Sequence, residues 1–369
     1  MSRKKVIIIG AGITGQTLAL TILKNPLLRE VYEPILLDRQ TQDTYAQGAG
    51  VVLSSNALHP LIRLGLEDEL WKISQEVVEM SIHREKRYLN SMVTPNWSPD
   101  IGGGTGLRAI ERGALMKLLV DQVCSNGGEG YIVLLDVAGL SAWPLPGGKY
   151  FWTITVPETS PPTSKSTMEK TAEYPNATIV TGGYPLSSTL DTLSRLSATP
   201  RPSLPGRVCA ELCQRSSRIV RALLYQLVFE QSQIANATPN VVLTGDAARV
   251  MLPTSGQGAC MGIEDATVLA NSLLNSYSIG GALAEYASLR VPRSKSIASQ
   301  AYWSGIVYMA EHWVVRTARD WLLSLLPKGR NAKEMWEMEE KAPRDPMAWL
   351  YSLRLEVKVE DREGAVQQK

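Results

Sequence analysis

The chain has 369 residues, enough to bury a large hydrophobic core and to form two domains or one elaborated domain. Its formal net charge is +2 and it contains no long basic run, so we do not expect a nucleic-acid-binding surface. The four cysteines and three histidines are too dispersed to form a ligand set, so we predict no metal site.

The first residues, MSRKK, run directly into an apolar segment, which leaves no room for a cleavable signal peptide. We therefore expect a cytoplasmic protein. Few cysteines for this length agree with that expectation, and we interpret them as small buried residues.

An apolar run joins a glycine cluster near the start of the chain. Residues 6–9 are all β-branched and predict a strand that is buried on both faces. Gly10, Gly12 and Gly15 follow with the spacing G-x-G-x-x-G, and a helix is expected from there to Leu23. Such glycines allow a tight turn, the approach of a pyrophosphate, and close packing of helix on strand. The turn is therefore predicted to bind a nucleotide at the helix N-terminus.

A second apolar run, 34–40, contains Asp38, about 20 residues beyond the last of these glycines. An acid at the tip of the second strand is placed to bind the hydroxyl groups of a ribose. The alternative is a solvated strand end or a cap. These two features do not distinguish NAD from FAD.

Two further segments are predicted to approach the nucleotide. Residues 48–72 begin with small residues, which indicate a loop followed by a helix, and 107–124 read as one amphipathic helix. Arg108 and Arg112 lie near the start of that second helix, where positive charge opposes the helix dipole. They either serve a phosphate or an anionic substrate, or form an exposed pair without a role.

The chain changes character at residues 126–235, which are rich in Gly, Pro, Ser and Thr. Short β-like runs at 131–135 and 150–156 predict a small β-rich region with long loops. Residues 211–234 are predicted to return to a helix.

Residues 301–326 carry apolar side chains at three- and four-residue steps, the pattern of an amphipathic helix. Its charged residues prevent it from spanning a bilayer. Packing on the protein body is the first interpretation. A weak contact with a membrane surface, or with an apolar substrate, is the alternative.

A second glycine-rich motif occupies residues 240–273. A strand at 241–243 is expected to end at Gly245 and Asp246, and a helix follows Pro253, Gly256 and Gly258. An NAD-dependent dehydrogenase gives no role to this stretch. Taken with the first motif, it resembles the group A flavoprotein monooxygenases, the family typified by para-hydroxybenzoate hydroxylase. The likeness is greatest to the branch found in fungal natural-product pathways.

The resemblance implies an α/β protein with a Rossmann-like FAD-binding domain of the glutathione-reductase type. This discontinuous domain would comprise residues 1–125 and 236–300, with a reduced β-rich substrate region at 126–235 and a C-terminal helical segment at 301–369. FAD would be the cofactor and NAD(P)H the co-substrate. The cofactor-binding residues it implies are Gly10, Gly12, Gly15, Asp38, Arg39, Gly50, Arg112, Asp246, Pro253, Gly256 and Gly258.

The chain also departs from the family pattern. It contains no Asp-Gly dipeptide, although the family has one between the Arg112 helix and Gly245-Asp246 that serves both FAD and NAD(P)H. The intervening stretch is shorter than the family's by several dozen residues, so a strand of the FAD domain and part of the substrate sheet are expected to be missing. Arg249 stands where the family has His, and Cys260-Met261 replaces a more polar pair.

The leading functional hypothesis is an FAD-dependent monooxygenase that uses NAD(P)H and O₂ to hydroxylate or epoxidise a hydrophobic aromatic or terpenoid-type molecule. Because the cofactor carries this chemistry, no catalytic residue is assigned. The alternatives are a flavin-binding cyclase or isomerase without redox activity, and an inactive truncated homologue.

Overall fold

The computed structural model describes residues 3–38, 50–84, 87–93, 106–120, 130–134, 139–155, 162–197, 204–235, 240–310 and 312–325. Its helices are α1 (Ile13–Lys24), α2 (Pro26–Val31), α3 (Ser55–Arg63), α4 (Glu67–Ile73), α5 (Arg112–Val120), α6 (Leu186–Ser197), α7 (Leu204–Arg215), α8 (Gln231–Ala235), α9 (Gly258–Asn275), α10 (Ile279–Tyr308) and α11 (Trp313–Leu325). Its longer strands are β1 (Lys4–Ile9), β2 (Tyr32–Leu37), β3 (Gly50–Leu53), β4 (Ser74–Val77), β5 (Glu79–Arg84), β6 (Arg87–Val93), β7 (Leu107–Glu111), β8 (Gly130–Leu134), β9 (Gly139–Leu145) and β10 (Lys149–Thr155). Five short strands follow: β11 (Met168–Glu169), β12 (Thr178–Val180), β13 (Arg218–Val220), β14 (Leu227–Val228) and β15 (Arg249–Val250).

The N-terminal unit is the predicted strand, glycine turn and helix. Strands β1 and β2 pair in parallel, and α1 connects them through α2. Gly10 has φ +106°, a conformation that favours glycine, and a Cβ atom on Gly15 would lie 2.0 Å from the carbonyl oxygen of Gly10. The first and third glycines are thus required by the turn and by the contact of helix with strand.

The prediction that residues 6–9 are buried on both faces is wrong. Ile8 is buried in the core with Leu18 and Ile22 of α1, but Ile7 is 61% exposed and Ile9 is 87% exposed. Within the described ranges β1 pairs with β2 alone, and residues 241–243, predicted as a strand, join no ladder. Among the described residues one edge of β1 is therefore unpaired, and the face that carries Ile7 and Ile9 is exposed.

A second core lies beneath a three-stranded antiparallel sheet in the order β3-β7-β4. Two predictions fall here and need correction. The start of 48–72 is a strand rather than a loop, and the first five residues of the predicted helix 107–124 form β7. The helix begins only at Arg112, because Leu107–Glu111 pairs with strands on both sides and all but Glu111 are buried.

A five-stranded sheet in the order β10-β9-β8-β5-β6 stands beside this core. It contains the two predicted β-like runs, which are confirmed as β8 and β10. Strands β5 and β8 are parallel, with Ile82 paired to Ile132. The sheet combines residues 79–93 with residues 130–155, so it crosses the domain boundary predicted at residue 125.

Residues 162–235 contain more helix than the predicted β-rich region. Helices α6 and α7 separate the parallel strands β12 and β13, and both strands pack on a small core around Ile179 and Cys213. The helix predicted at 211–234 is wrong: α7 ends at Arg215, β13 follows, and Leu223 and Leu224 are exposed. Ile219 is buried because it pairs with Ile179, which a helical pattern cannot distinguish from a helix face.

The C-terminal part is dominated by α9 and the long α10, which pack on α1 and on each other. Instead of one amphipathic helix at 301–326, α10 runs on to Tyr308 and α11 begins at Trp313. Helix α10 crosses the predicted domain boundary at residue 300. None of the helices in the described ranges has both the length and the hydropathy that a membrane-spanning segment needs.

Candidate functional site

The two glycine motifs, far apart in sequence, meet at one side chain. Thr14 in the first turn of α1 lies against Gly245 and Gly262: a Cβ atom on Gly245 would be 2.6 Å from the Thr14 hydroxyl oxygen, and one on Gly262 closer still. Gly245 also has φ +57°. Any larger residue at either position would push α1 away from the second motif. The two motifs that were identified in the sequence therefore lie against each other in the fold.

The glycine turn of the first motif is open on its outer side. A Cβ atom on Gly12 would meet nothing within 4 Å, in contrast to Gly15, so Gly12 is not required by packing. Gly12 caps α1 at its N-terminus, where the first backbone N–H groups have no partner within the helix. The backbone N–H of Ala11 donates to a carboxylate oxygen of Asp38 at 2.7 Å. Asp38 thus lies beside the turn, and one of its carboxylate oxygens is bound to the backbone of the turn.

Asp265 of α9 fixes the turn that carries Asp246. Its carboxylate, fully buried, accepts hydrogen bonds from the backbone N–H of Gly245 at 2.8 Å, from Arg249 at 2.5 Å and from Arg290 at 2.7 Å. The three donors come from the turn, from β15 and from α10. Asp265 therefore holds three elements together directly behind the second motif.

Glu264 is the neighbour of Asp265 and connects α9 to a second set of partners. It is fully buried, and its carboxylate lies 2.6 Å from Arg290 and 2.5 Å from Arg293. The side-chain amide of Asn56 donates to the same carboxylate at 2.5 Å. Because both carboxylates share Arg290, the two acids and their arginines form one buried ion-pair network.

The network sets the protonation of its acids. Burial alone would raise the pKa of Glu264, but Arg290 and Arg293 outweigh it and the pKa is lowered. Burial likewise acts to raise the pKa of Asp265, and Arg249 and Arg290 lower it below its ordinary value. Both carboxyl groups are therefore ionised at neutral pH.

These shifts predict a pH dependence of stability. A carboxyl group whose pKa is lower in the folded than in the unfolded chain stabilises the fold fully above the unfolded pKa, about 4, and loses that contribution as the pH falls through the folded pKa. We expect the free energy of unfolding to fall as the pH is lowered from about 5. Urea unfolding at a series of pH values measures this, and Asp265→Asn should flatten the slope. An unchanged slope would contradict the assignment.

A polar cluster joins α9 to the start of α3, and sequence reasoning missed it. Gln257, the N-cap of α9, accepts from the Asn56 amide at 3.0 Å and donates to the Ser54 hydroxyl at 3.1 Å. The thiol of Cys260 lies 3.5 Å from the same hydroxyl, and burial raises the pKa of this thiol. Cys260 and Cys213 are buried free thiols, as predicted. The signal available for this cluster in the sequence was the presence of polar residues at positions whose pattern is that of buried residues.

The other predicted cofactor residues lie on separate elements around this centre. Asp246, Pro253, Gly256 and Gly258 are exposed on the path from the Gly245 turn to the start of α9. A Cβ atom on Gly256 or Gly258 would meet nothing within 4 Å.

The remaining residues of the set lie on the sheet side or outside the described part. Gly50 begins β3 and lies against the ring of Phe151, into which a Cβ atom would project. Arg112 is the first residue of α5, and Arg108 is instead buried on β7, with its guanidinium 4.3 Å from the Trp71 ring. Arg39 lies outside the described residues.

A cavity of about 1160 Å³ opens next to these residues. Its walls come from β10, β13, α6 and α7, and it reaches Gly50, Gly113 and Pro253. The apolar lining includes Phe151, Trp152, Leu223 and Leu224, and the basic lining includes Arg215, Arg218 and Arg221. The cavity is large enough for a drug-sized molecule beside the predicted cofactor residues.

Comparison with known families gives a match for the second motif. Residues 232–301 match the family model described as an FAD binding domain. This range contains the Gly245 turn, α9 and most of α10. The match covers the side of the site formed by Asp246, Pro253, Gly256 and Gly258.

Two curated proteins share parts of the sequence. An aurachin C monooxygenase/isomerase of Stigmatella aurantiaca is 36% identical over 89 residues, which are 24% of this chain and 23% of that protein. The FAD-dependent monooxygenase pytG of Aspergillus terreus is 31% identical over 137 residues, 36% of this chain and 37% of that protein. The resemblance to FAD-dependent monooxygenases is confirmed. The aligned stretches span less than two fifths of either relative.

A likeness in fold to a structure that contains FAD also extends over most of the chain. The structure of Klebsiella pneumoniae HpxO complexed with FAD and uric acid superposes with a TM-score of 0.67 and covers 92% of this chain and 97% of that one. Its sequence is only 15% identical, so the likeness concerns the fold. The predicted α/β fold with an FAD-binding domain is confirmed.

The residues of this chain fit FAD where the structure tests them. Open space lies outside Gly12, Gly256 and Gly258, where a side chain would otherwise project. Helices α1 and α9 both start at these glycines, and neither N-cap residue gives a side-chain hydrogen bond to the first turn. Their N–H groups are the donors that a pyrophosphate and a flavin carbonyl need.

Proposed function

We propose that this chain is an FAD-dependent monooxygenase that uses NAD(P)H and O₂ to hydroxylate or epoxidise an apolar aromatic or terpenoid-type molecule. The observation that carries the proposal is the contact of Thr14 with Gly245 and Gly262, which unites the nucleotide turn with the segment matching an FAD binding domain. A dehydrogenase that binds only a nicotinamide in the first motif would leave the second motif without a role.

In this proposal, different residues of the chain bind different parts of FAD. Gly10, Gly12 and Gly15 shape the turn for the pyrophosphate, and Asp38 lies beside it for the ribose. Asp246 and Arg112 are proposed to hold the chain between phosphate and flavin. Pro253, Gly256 and Gly258 leave room for the flat ring at the start of α9. We include Arg39 and Gly50 in the proposed set from the sequence.

Bound FAD would supply the redox chemistry, accepting electrons from NAD(P)H and passing them to O₂. The contribution of the protein is to bind, to orient and to exclude water. Phe151, whose ring lies against Gly50, lines the cavity beside this residue of the proposed cofactor set. No side chain is assigned as a general base.

The cavity supports an apolar substrate with a polar or anionic edge. The cavity is lined by the aromatic residues Phe151 and Trp152, and it also borders Arg221. The Arg221 guanidinium lies 3.8 Å from the centre of the Tyr184 ring and donates to the Ser188 hydroxyl at 3.2 Å, so its position is fixed. An apolar ring would be stabilised by contact with such an aromatic side chain, and a phenolate or carboxylate by the arginine.

A second candidate is a flavin-binding isomerase or cyclase without net redox activity. Two observations favour it: the chain has no Asp-Gly dipeptide, and one relative is named a monooxygenase/isomerase. Such a protein would bind FAD in the same place and use the cavity to shape its substrate.

The deciding experiment is the absorbance spectrum of the purified full-length chain, followed by anaerobic mixing with NADH or NADPH. The monooxygenase proposal expects bound flavin whose visible bands bleach, and faster bleaching with a substrate that fits the cavity. Bound flavin that stays oxidised with every substrate tried would favour the second candidate. A chain that folds but binds no FAD would overturn both.

A further inference from the structure

One wall of the cavity is basic. A continuous stretch of its lining, 215–224, runs from the end of α7 through β13. Arg215, Arg218 and Arg221 occur in this stretch at three-residue steps, and we call them the arginine wall. From Arg218 to Arg221 the chain is extended, so these two side chains start from points about 10 Å apart. The positive charge is therefore spread along the cavity.

The acids of the lining do not offset this charge. They are Glu111 and Glu211, and Glu111 already pairs with Lys149 at 3.2 Å. Within the described ranges, neither Arg215 nor Arg218 forms an ion pair or a side-chain hydrogen bond. Arg218 is nonetheless half-buried. A guanidinium that has lost part of its hydration without gaining an anion indicates a place for an anionic ligand.

Arg221, in contrast, is held in one orientation. Its guanidinium carbon lies 3.8 Å from the centre of the Tyr184 ring, and Nη1 donates to the hydroxyl groups of Ser188 at 3.2 Å and Thr189 at 3.4 Å. The backbone N–H of Arg221 donates to the carbonyl oxygen of Val180 at 2.9 Å. Because a ring and two hydroxyl groups carry no charge, these contacts position the guanidinium without neutralising it.

Strand β10 gives the same cavity an aromatic lining, made of Tyr150, Phe151 and Trp152. The indole N–H of Trp152 donates to the Ser216 hydroxyl at 2.9 Å, so β10 is tied to the stretch that carries the arginine wall. The cavity of about 1160 Å³ exceeds the roughly 300–1000 Å³ of most small-molecule sites. These features fit a large ligand in which aromatic rings are joined to a chain with several negative charges.

We propose that the arginine wall binds the phosphate groups of NADPH, so that NADPH is preferred to NADH. The inference rests on the proposed function, in which a nicotinamide reduces the flavin, and the cavity borders Gly50 and Pro253 of the proposed cofactor set. A substrate with one carboxylate would offset only one of the three charges. NADPH carries a pyrophosphate and a 2′-phosphate, and a phosphate monoester alone contributes about −1.5 to −2 at neutral pH. Arginine binds such oxygens through paired N–H donors.

Calorimetric titration of the full-length, flavin-loaded chain with NADP⁺ and with NAD⁺ tests the proposal. The variant Arg215→Gln/Arg218→Gln removes two charges of the arginine wall, and Arg29→Gln/Arg195→Gln removes the same charge from exposed positions outside the cavity lining. At low salt the wild type and the second variant are expected to bind NADP⁺ at least about tenfold more tightly than NAD⁺. The first variant should lose this difference.

Benzoate, a monocarboxylate, distinguishes the phosphate groups of NADPH from an anionic substrate, and both variants are expected to bind it equally. A first variant that loses affinity for benzoate but keeps its affinity for NADP⁺ would overturn the proposal and assign the wall to the substrate. Equal affinity of the wild type for NADP⁺ and NAD⁺ would also overturn it, as would equal binding of NADP⁺ by the two variants. Bleaching of the flavin by NADH or NADPH, measured on the same preparation, tests the proposed function separately. Bound flavin that neither nucleotide bleaches contradicts that function, while the affinities for NADP⁺ and NAD⁺ still decide whether the wall binds phosphate.

Discussion

Replacing Asp265 with asparagine is expected to lower the free energy of unfolding by about 3–5 kcal/mol, because it removes the charge that Arg249 and Arg290 share in a buried site. The asparagine oxygen can accept two hydrogen bonds at most, and the side-chain NH2 group, a donor, takes the place of the other acceptor. With the NH2 group at the position of Oδ2, the backbone N–H of Gly245 and Arg249 lose their acceptor, so the turn that carries Asp246 loosens. We therefore expect weaker FAD binding as well, with urea unfolding and flavin content as the two measurements.

Asp191→Asn is the matched control. Asp191 also pairs with an arginine, at 3.1 Å from Arg195, but the side chains are 65% and 72% exposed. An exposed pair four residues apart on a helix contributes about 0.3–0.5 kcal/mol. Equal destabilisation by the two variants would show that the buried network is not what holds the Gly245 turn.

Replacing Gly12 with valine is expected to abolish FAD binding while the chain still folds. The structure leaves open space where the side chain would project, so the packing cost is small. The valine would occupy the space through which a pyrophosphate approaches the turn. Flavin content after purification and the affinity for added FAD measure the effect, which we expect to exceed about a hundredfold.

Gly280→Val controls for the effect of valine itself. Gly280 also begins a helix and has open space around it, but it lies near the start of α10, away from both motifs. This variant should keep its flavin. Normal flavin content in Gly12→Val would remove the basis for placing the nucleotide at the first turn.

The local part of the site was predictable because its signals are local. Gly10 and Gly15 are needed for a turn and a helix contact within a few residues, and Asp38 is tied to Ala11 across one strand pair. The second motif was found for the same reason. Arg249 and Asp265, in contrast, form an ion pair that neither of the two glycine motifs predicts, although both residues belong to the second motif.

The elements that sequence analysis missed depend on distant pairing. Leu107–Glu111 shares the apolar spacing of the helix that follows, and only its ladders with β3 and β4 make it a strand. Ile219 is likewise set in a strand by its partner Ile179. The Asn56 contacts with Gln257 and Glu264 join residues that are more than 200 positions apart in the sequence. A periodic pattern of apolar residues cannot predict such contacts.

The contact of Thr14 with Gly262 has a consequence for synthesis of the protein. The glycine turn leaves the ribosome first, but its partner on α9 follows only after roughly 250 further residues, on the order of ten to fifty seconds later. Until then Thr14 lacks its partner on α9, and the edge of β1 that is unpaired among the described residues is available for wrong pairing. The nascent chain thus passes through a long interval in which its nucleotide turn is made but the contact that joins it to the second motif cannot yet form.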